Sequence, residues 1–150
     1  MAEENSLHYT SYTPQEQHNM NRDEVIDFLF QHLDEYGDAR ADISKCMDYA
    51  LSEAEGKGGA VLVARENDRV VGALILNNTG MSGYIPENIL VYVAVDSSQR
   101  GKGVGKRLVE LATETVSGSI ALHVEPQNPA RHLYEKMGFT NKYLEYRLQR

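Results

Sequence analysis

Cysteine is almost missing from this chain: Cys46 is the single one among 150 residues. One thiol cannot form an internal disulfide, so no disulfide framework holds the fold, and a reducing compartment is expected. Long apolar runs are missing as well. No stretch approaches the roughly 20 residues that cross a bilayer. The opening Met1-Ala2-Glu3-Glu4-Asn5 is acidic where a secretory leader would be basic. The expectation is a cytoplasmic protein with no membrane partner. No repeat, linker or low-complexity tract divides the chain. Residues 1–150 therefore read as one domain, long enough to bury a core without disulfides or a metal.

Charge is plentiful and unevenly placed. Residues 1–56 carry thirteen acidic and three basic side chains, a net charge of −10, whereas residues 57–150 carry nine and twelve, a net charge of +3. An isoelectric point near 5.2 argues against a nucleic-acid partner. The basic excess is instead gathered in the half that contains a glycine-rich loop.

Hydrophobic spacing outlines the elements. Leu7 to Tyr12 reads as a weak first strand. Asn21, with Glu24 three residues on, marks a helix start, and Val25, Phe28, Leu29 and Leu33 give that helix one apolar stripe ended by Gly37. Ile43, Cys46, Met47, Ala50, Leu51 and Ala54 outline a second helix that stops at Gly56. Cys46 on such a stripe is a small core residue rather than a nucleophile. Ala60 to Arg65 and Arg69 to Leu76 form a hairpin about Glu66-Asn67-Asp68. Leu90 to Val95 is nearly continuously apolar, as a covered strand would be. A helix follows on Val104, Leu108, Leu111, Ala112 and Thr115, and then a strand from Ser119 to Val124. A last helix carries Ala130, Leu133, Tyr134 and Met137 and is capped by Asn128, with Pro129 in its first turn. Tyr143 to Leu148 reads as a closing strand.

Between the apolar strand and its helix lies Arg100-Gly101-Lys102-Gly103-Val104-Gly105-Lys106-Arg107. Alternate glycines let the backbone bend round a ligand and aim several N–H groups at one point. A helix starting there adds the positive end of its dipole, so the loop suits phosphate. The spacing decides which phosphate. A dinucleotide fingerprint wants glycine at 106, which is lysine, and a P-loop wants Ser or Thr at 107, which is arginine.

The pattern R/Q-x-x-G-x-G/A does fit, and it resembles the acetyl-CoA pyrophosphate loop of the GNAT superfamily of N-acetyltransferases. Asn128-Pro129-Ala130-Arg131-His132-Leu133-Tyr134-Glu135-Lys136-Met137-Gly138-Phe139 is similar to that superfamily's closing helix. The two motifs stand in the family's order, and the likeness is strong from about Leu90 to Phe139. It implies an α/β (α+β) GNAT fold: a mixed, mostly antiparallel sheet of about six or seven strands flanked by about four helices. Within it, a parallel pair around residues 90–95 and 119–124 splays apart. Only about eleven residues follow Phe139, too few for the terminal hairpin with which many relatives wall the acceptor pocket.

The resemblance also implies a chemistry, acetyl transfer from acetyl-CoA to an amine by direct attack in a ternary complex, with no metal. The backbone of Val93, Ala94 and Val95 would hold the pantetheine arm and the acyl carbonyl. Arg100, Gly101, Lys102, Gly103, Val104, Gly105 and Lys106 would cradle the pyrophosphate, and Asn128 would contact CoA. Tyr134, protonated at neutral pH, would give a proton to the departing thiolate. Glu87 is the candidate base, with Tyr84, Tyr92, His123, Glu125 or a water path as alternatives. The acceptor is a small-molecule, peptide or protein amine. Asp23, Glu24, Asp27, Asp34, Glu35, Asp38, Asp42 and Asp48 on the N-terminal helices favour one with positive charge. A homodimer is left open, and so is a different class of function, an acyl-CoA-binding module with little catalysis.

Overall fold

The computed structural model describes residues 7–150. Chain order is β1 (Leu7–Tyr12), α1 (Arg22–His32), a 3-10 turn (Asp34–Tyr36), α2 (Arg40–Ala50), β2 (Gly59–Glu66), β3 (Arg69–Asn78) and β4 (Asn88–Val95). A second 3-10 turn (Ser97–Gln99), α3 (Val104–Thr115), β5 (Ile120–Leu122) and α4 (Ala130–Lys136) complete it. The five strands of the described residues form one sheet in sequential order. It is antiparallel from β1 to β4, and β4 and β5 are parallel.

Local chemistry explains the boundaries. Asn21 accepts the Glu24 N–H at 3.1 Å and starts α1, satisfying one of the donors a helix leaves open at its N-terminus. Glu24 does not complete a reciprocal box, because its carboxylate pairs with Arg65 of β2 at 3.0 Å. The β2–β3 turn places Asn67 and Asp68 at φ 51° and 70°. Both central residues of a tight hairpin turn need positive φ, and Asn and Asp accept it more readily than most.

Two apolar layers sandwich the sheet. One side packs α1 and α2 through Val25, Leu29, Ile43 and Met47 against Val61, Val63, Ala73 and Ile75. The other packs α3 and α4 through Leu108, Val109, Ala112 and Tyr134 against Leu62, Leu74 and Leu76. Alternate side chains of β2 and β3 thus feed opposite cores, as the two-residue period of a strand requires. Leu29, Leu62 and Leu74 are at most 1% exposed, and each such side chain contributes roughly 1.5–3 kcal/mol by leaving water.

Four expectations are corrected. Among the described residues the sheet has five strands rather than six or seven. The helix expected to run to Ala54 ends at Ala50. The strand expected over 119–124 narrows to Ile120–Leu122, since β4 offers it partners only at Asn88, Ile89 and Leu90. Tyr143 to Leu148 is not a strand: Tyr143, Leu144, Tyr146 and Leu148 stand 77–86% exposed. Their alternation is present, but a strand exists only where a neighbour takes up its backbone hydrogen bonds, and here none does.

Candidate active site

Two defects in the sheet build the site. The first is the early end of β5. Its register with β4 covers Asn88↔Ile120, Ile89↔Ala121 and Leu90↔Leu122 and then stops, while β4 runs on to Val95. From Val91 to Val95 the side of β4 turned toward β5 has no strand partner. The second is a bulge. Ile75 faces Tyr92 and Leu76 faces Leu90, so Val91 has no opposite residue on β3. Two residues opposing one re-aims the chain. Leu90 joins the α3/α4 core, whereas Val91 and Tyr92, although consecutive, both pack on the α1/α2 side. Val93 and Val95 return to the α3/α4 side. Val93, Ala94 and Val95 thus lie on the unpaired length of β4.

The glycine loop follows at the end of that strand. Gly101 and Gly103 have φ of 79° and 78°, and a Cβ at either would meet no atom within 4 Å. Glycine is needed there for the left-handed backbone, and the concave side stays open. Gly105 has ordinary helical space, with Leu133 Cδ2 and Val95 Cγ2 at 3.5 and 3.6 Å from a Cβ placed on it. It is the point where α3, β4 and α4 meet. The amide of Lys102 donates to Gln99 O at 3.2 Å and that of Arg107 to Gly103 O at 3.0 Å. The amides of Gly101, Gly103, Val104, Gly105 and Lys106 have no acceptor among the described residues. Five unsatisfied donors at the start of a twelve-residue helix make an anion cradle. The side chains do less. Arg107 pairs with Glu110 at 3.4 Å and Glu114 at 3.7 Å along its own helix, and Arg100, Lys102 and Lys106 are exposed.

Tyr134 lies on α4, next in sequence to the Leu133 that packs against Gly105. It is 7% exposed and its ring meets Phe139 edge-on, with centroids 5.8 Å apart. Gln99 Oε1 is the one fully enclosed side-chain polar atom without a partner among the described residues. The Tyr134 hydroxyl makes no hydrogen bond there and is not enclosed, so it reaches the surface. Burial of the ring pushes its pKa up to about 12, which keeps the group protonated, a donor rather than a base, at any working pH. Asn128 Oδ1 accepts the Ala130 N–H at 2.9 Å, the capping role expected of it.

Glu87 is not brought to this place. It precedes β4 and lies five residues, about 16 Å at strand rise, before Tyr92. Its carboxylate accepts the N–H of Ser119 at 2.8 Å and of Gly83 at 3.3 Å. These backbone donors, Ser119 first, hold its pKa below the ordinary value. It borders an open cavity of about 510 Å³ with Thr13, Ser52, Gly58, Asn78 and Ser117. That cavity shares no residue with the glycine loop or α4. Tyr84 and His123 are exposed. Cys46 is buried in the α1/α2 core, and burial pushes its thiol up to about 12, as suits a packing residue.

A further pair was not legible in the sequence. Tyr92, 7% exposed, donates its hydroxyl to Asp38 Oδ2 at 2.6 Å. Asp38 belongs to the segment between α1 and α2, 54 residues away in sequence. Burial and the neighbouring Asp38 carboxylate raise the Tyr92 pKa. Beside them, burial and the carboxylates of Glu35 and Glu125 hold Tyr36 above its ordinary value.

With this geometry in place, the family comparison agrees. Residues 57–141 match the model of the acetyltransferase (GNAT) domain, a span that begins before the two motifs and takes in the β2–β3 hairpin. The 5-NmdU N-acetyltransferase of Pseudomonas phage PaMx11 is 31% identical over 91 residues, 59% of this chain and 63% of that protein. Less than two thirds of that relative's length is thus matched. Among solved structures, a ribosomal-protein-alanine N-acetyltransferase from Brucella melitensis biovar Abortus 2308 superposes with a TM-score of 0.63 at 17% identity. It covers 96% of this chain and 99% of its own. An aminoglycoside N-acetyltransferase in complex with CoA gives a TM-score of 0.66 at 17% identity, covering 96% and 97%. At such identities the structural likeness establishes the fold.

Proposed function

This chain belongs to the GNAT acetyltransferase family, and we propose that it transfers an acetyl group from acetyl-CoA to a primary amine. The observation that carries the reading is the continuity of two sets of free backbone groups. The five open amides of the glycine loop suit a pyrophosphate, and the unpaired length Val91 to Val95 of β4 suits a peptide-like pantetheine arm. A Cβ placed on Gly101 or Gly103 would meet no atom within 4 Å, so the loop is open there. Acetyl-CoA would bring the activated acyl group, and this chain's residues orient it and move protons.

Attack by the amine nitrogen forms the C–N bond and breaks the C–S bond. The Tyr134 hydroxyl, kept protonated by burial of its ring, donates to the departing sulfur. It recovers its proton from the amine, whose remaining excess proton leaves to water. Oriented amides of β4 face the acyl oxygen as negative charge develops on it. Holding both reactants in one opening supplies much of the remaining acceleration. The Glu87 carboxylate, held by two amides and remote from β4's unpaired length, does not enter this scheme. A soluble cytoplasmic setting and the absence of a metal requirement belong to the same proposal.

The test is calorimetric titration with CoA and acetyl-CoA, followed by thiol-release assays over a panel of primary amines that includes 5-NmdU, the acceptor in the phage relative's name. Saturable CoA binding with turnover on at least one amine is expected. Tight binding with no turnover on any amine would leave the second reading, an acyl-CoA-binding module. The surface-reaching Tyr134 hydroxyl favours the enzyme.

A further inference from the structure

The entrance to the glycine loop is tied down by a ring of side chains that takes no part in the chemistry above. Gln99, the residue before Arg100, is 2% exposed. Its Nε2 donates to Glu66 Oε1, at the end of β2 and 33 residues away, at 3.1 Å. Arg69, across the β2–β3 turn, donates to Asp96 Oδ2 at 3.0 Å and stands 3.7 Å from Glu66 Oε1. Asp96 closes the ring: its Oδ1 accepts the Ser98 N–H at 3.0 Å and its carbonyl accepts the Gln99 N–H at 2.8 Å. The Gln99 carbonyl in turn accepts the Lys102 N–H at 3.2 Å, so the orientation of Gln99 is passed on to the loop. Stability alone does not call for an amide at this position. Gln99 Oε1 is fully enclosed without a partner among the described residues, and a stranded acceptor is destabilising. A methionine would fill similar space with no such acceptor. What the glutamine adds is the Nε2 donor that joins the loop to β2.

We infer that Gln99 is a positioning residue for the anion cradle: gripped by Glu66, its side-chain amide fixes where the free amides of the loop point before the ligand arrives. This rests on the acetyltransferase reading and adds how its phosphate-binding loop is held. Free amides bind an anion well only when they already converge on it, because ordering them during binding subtracts from affinity. Gly101 and Gly103 give the loop wide backbone freedom, and the Gln99–Glu66 bond restrains it at its entrance. Glu66 acts here as an acceptor more than as a charge, since its cationic neighbour Arg69 has a side chain 57% exposed and such pairs contribute little. The role concerns the phosphate end of the ligand alone, so an acyl donor without phosphate does not depend on it.

The test measures CoA dissociation constants by calorimetry, with melting curves, for wild type, Gln99→Met, Glu66→Ala, Glu66→Gln and the double variant Glu66→Ala/Gln99→Met. CoA should bind about tenfold more weakly to Gln99→Met and to Glu66→Ala, and about tenfold, not about 100-fold, more weakly to the double variant, since both changes break one bond. Glu66→Gln keeps an acceptor for Nε2 and should bind CoA within about twofold of wild type. Gln99→Met should melt no lower than wild type, because it removes the stranded acceptor. Thiol release on an amine that wild type accepts then compares acetyl-CoA with S-acetylpantetheine, which carries the thioester but no pyrophosphate. In Gln99→Met, kcat/KM should fall about tenfold for acetyl-CoA and stay within about twofold for S-acetylpantetheine. Wild-type CoA affinity in Gln99→Met, additive losses in the double variant, or equal losses for the two acyl donors would overturn the inference and leave the acetyltransferase reading standing. Wild type that does not bind CoA at all would sink both.

Discussion

The two faces of the sheet work by different means. On the α3/α4 face the groups the proposed function draws on are backbone: five open amides at the head of α3 and the unpaired length of β4. The α1/α2 face instead shows a side-chain pair, Tyr92 and Asp38, brought together over 54 residues of sequence. Backbone groups need only a conformation, which glycine spacing and a helix start provide locally. A pair of side chains needs two distant elements docked in the right register, and only the packed core supplies that.

Tyr134 is the exception on the backbone-dominated face, and Tyr134→Phe is the largest expected effect. The variant keeps the ring against Phe139 and removes only the donor, so folding should survive. A lost general acid costs about 10²–10⁴-fold, and kcat and kcat/KM should drop together with acetyl-CoA affinity unchanged. Since the wild-type pKa is about 12, no alkaline loss of activity from this group is expected below about pH 11. Steady-state kinetics beside a melting curve decide the matter: wild-type kcat with a lower melting temperature would make Tyr134 a core residue only.

The next effect asks whether backbone outweighs side chain on that face. Gly103→Glu puts a bulky anion over the open amides and forces a left-handed φ that costs an L-residue roughly 1–2 kcal/mol. CoA affinity should weaken at least tenfold, about 1.4 kcal/mol. Lys106→Ala removes an exposed, screened charge and should change affinity only a few-fold. If Lys106→Ala weakens CoA binding more than Gly103→Glu does, the cradle is built from side chains and the contrast between the faces fails.

Glu87→Gln should have the smallest effect on catalysis, within twofold in kcat/KM, with a small loss of thermal stability. The sign of the pH dependence follows from the lowered pKa. The folded-state carboxylate is the stabilised form, so its contribution is present above the unfolded value, near 4.5, and fades as pH falls through the folded value. The wild-type advantage over Glu87→Gln in melting temperature should therefore shrink as the pH falls below the unfolded value near 4.5 and vanish once the folded-state carboxylate is protonated too. A 100-fold loss of turnover at neutral pH would instead restore Glu87 as the base.

Much of this was legible in the chain because it is local. The glycine spacing of Gly101 and Gly103, the Asn21 and Asn128 caps and the Asn67-Asp68 turn each depend on a few consecutive residues, and each formed where the sequence placed it. The bulge that turns Val91 and Tyr92 to one side of the sheet was not legible. A bulge arises from pairing with β3 and leaves no mark in the apolar run Leu90 to Val95. Tyr143 to Leu148 shows the same limit from the other side, with a strand's alternation and no strand.

By itself, then, the sequence determined the left-handed glycines of the loop, the starts of the helices and the family, all products of short-range backbone chemistry. Only the tertiary structure decided where β5 stops, which way Tyr92 points, that Asp38 meets it and that the Glu87 carboxylate is tied to the amides of Ser119 and Gly83. Those outcomes depend on inter-strand register and helix docking, where an offset of one residue reverses the face a side chain serves.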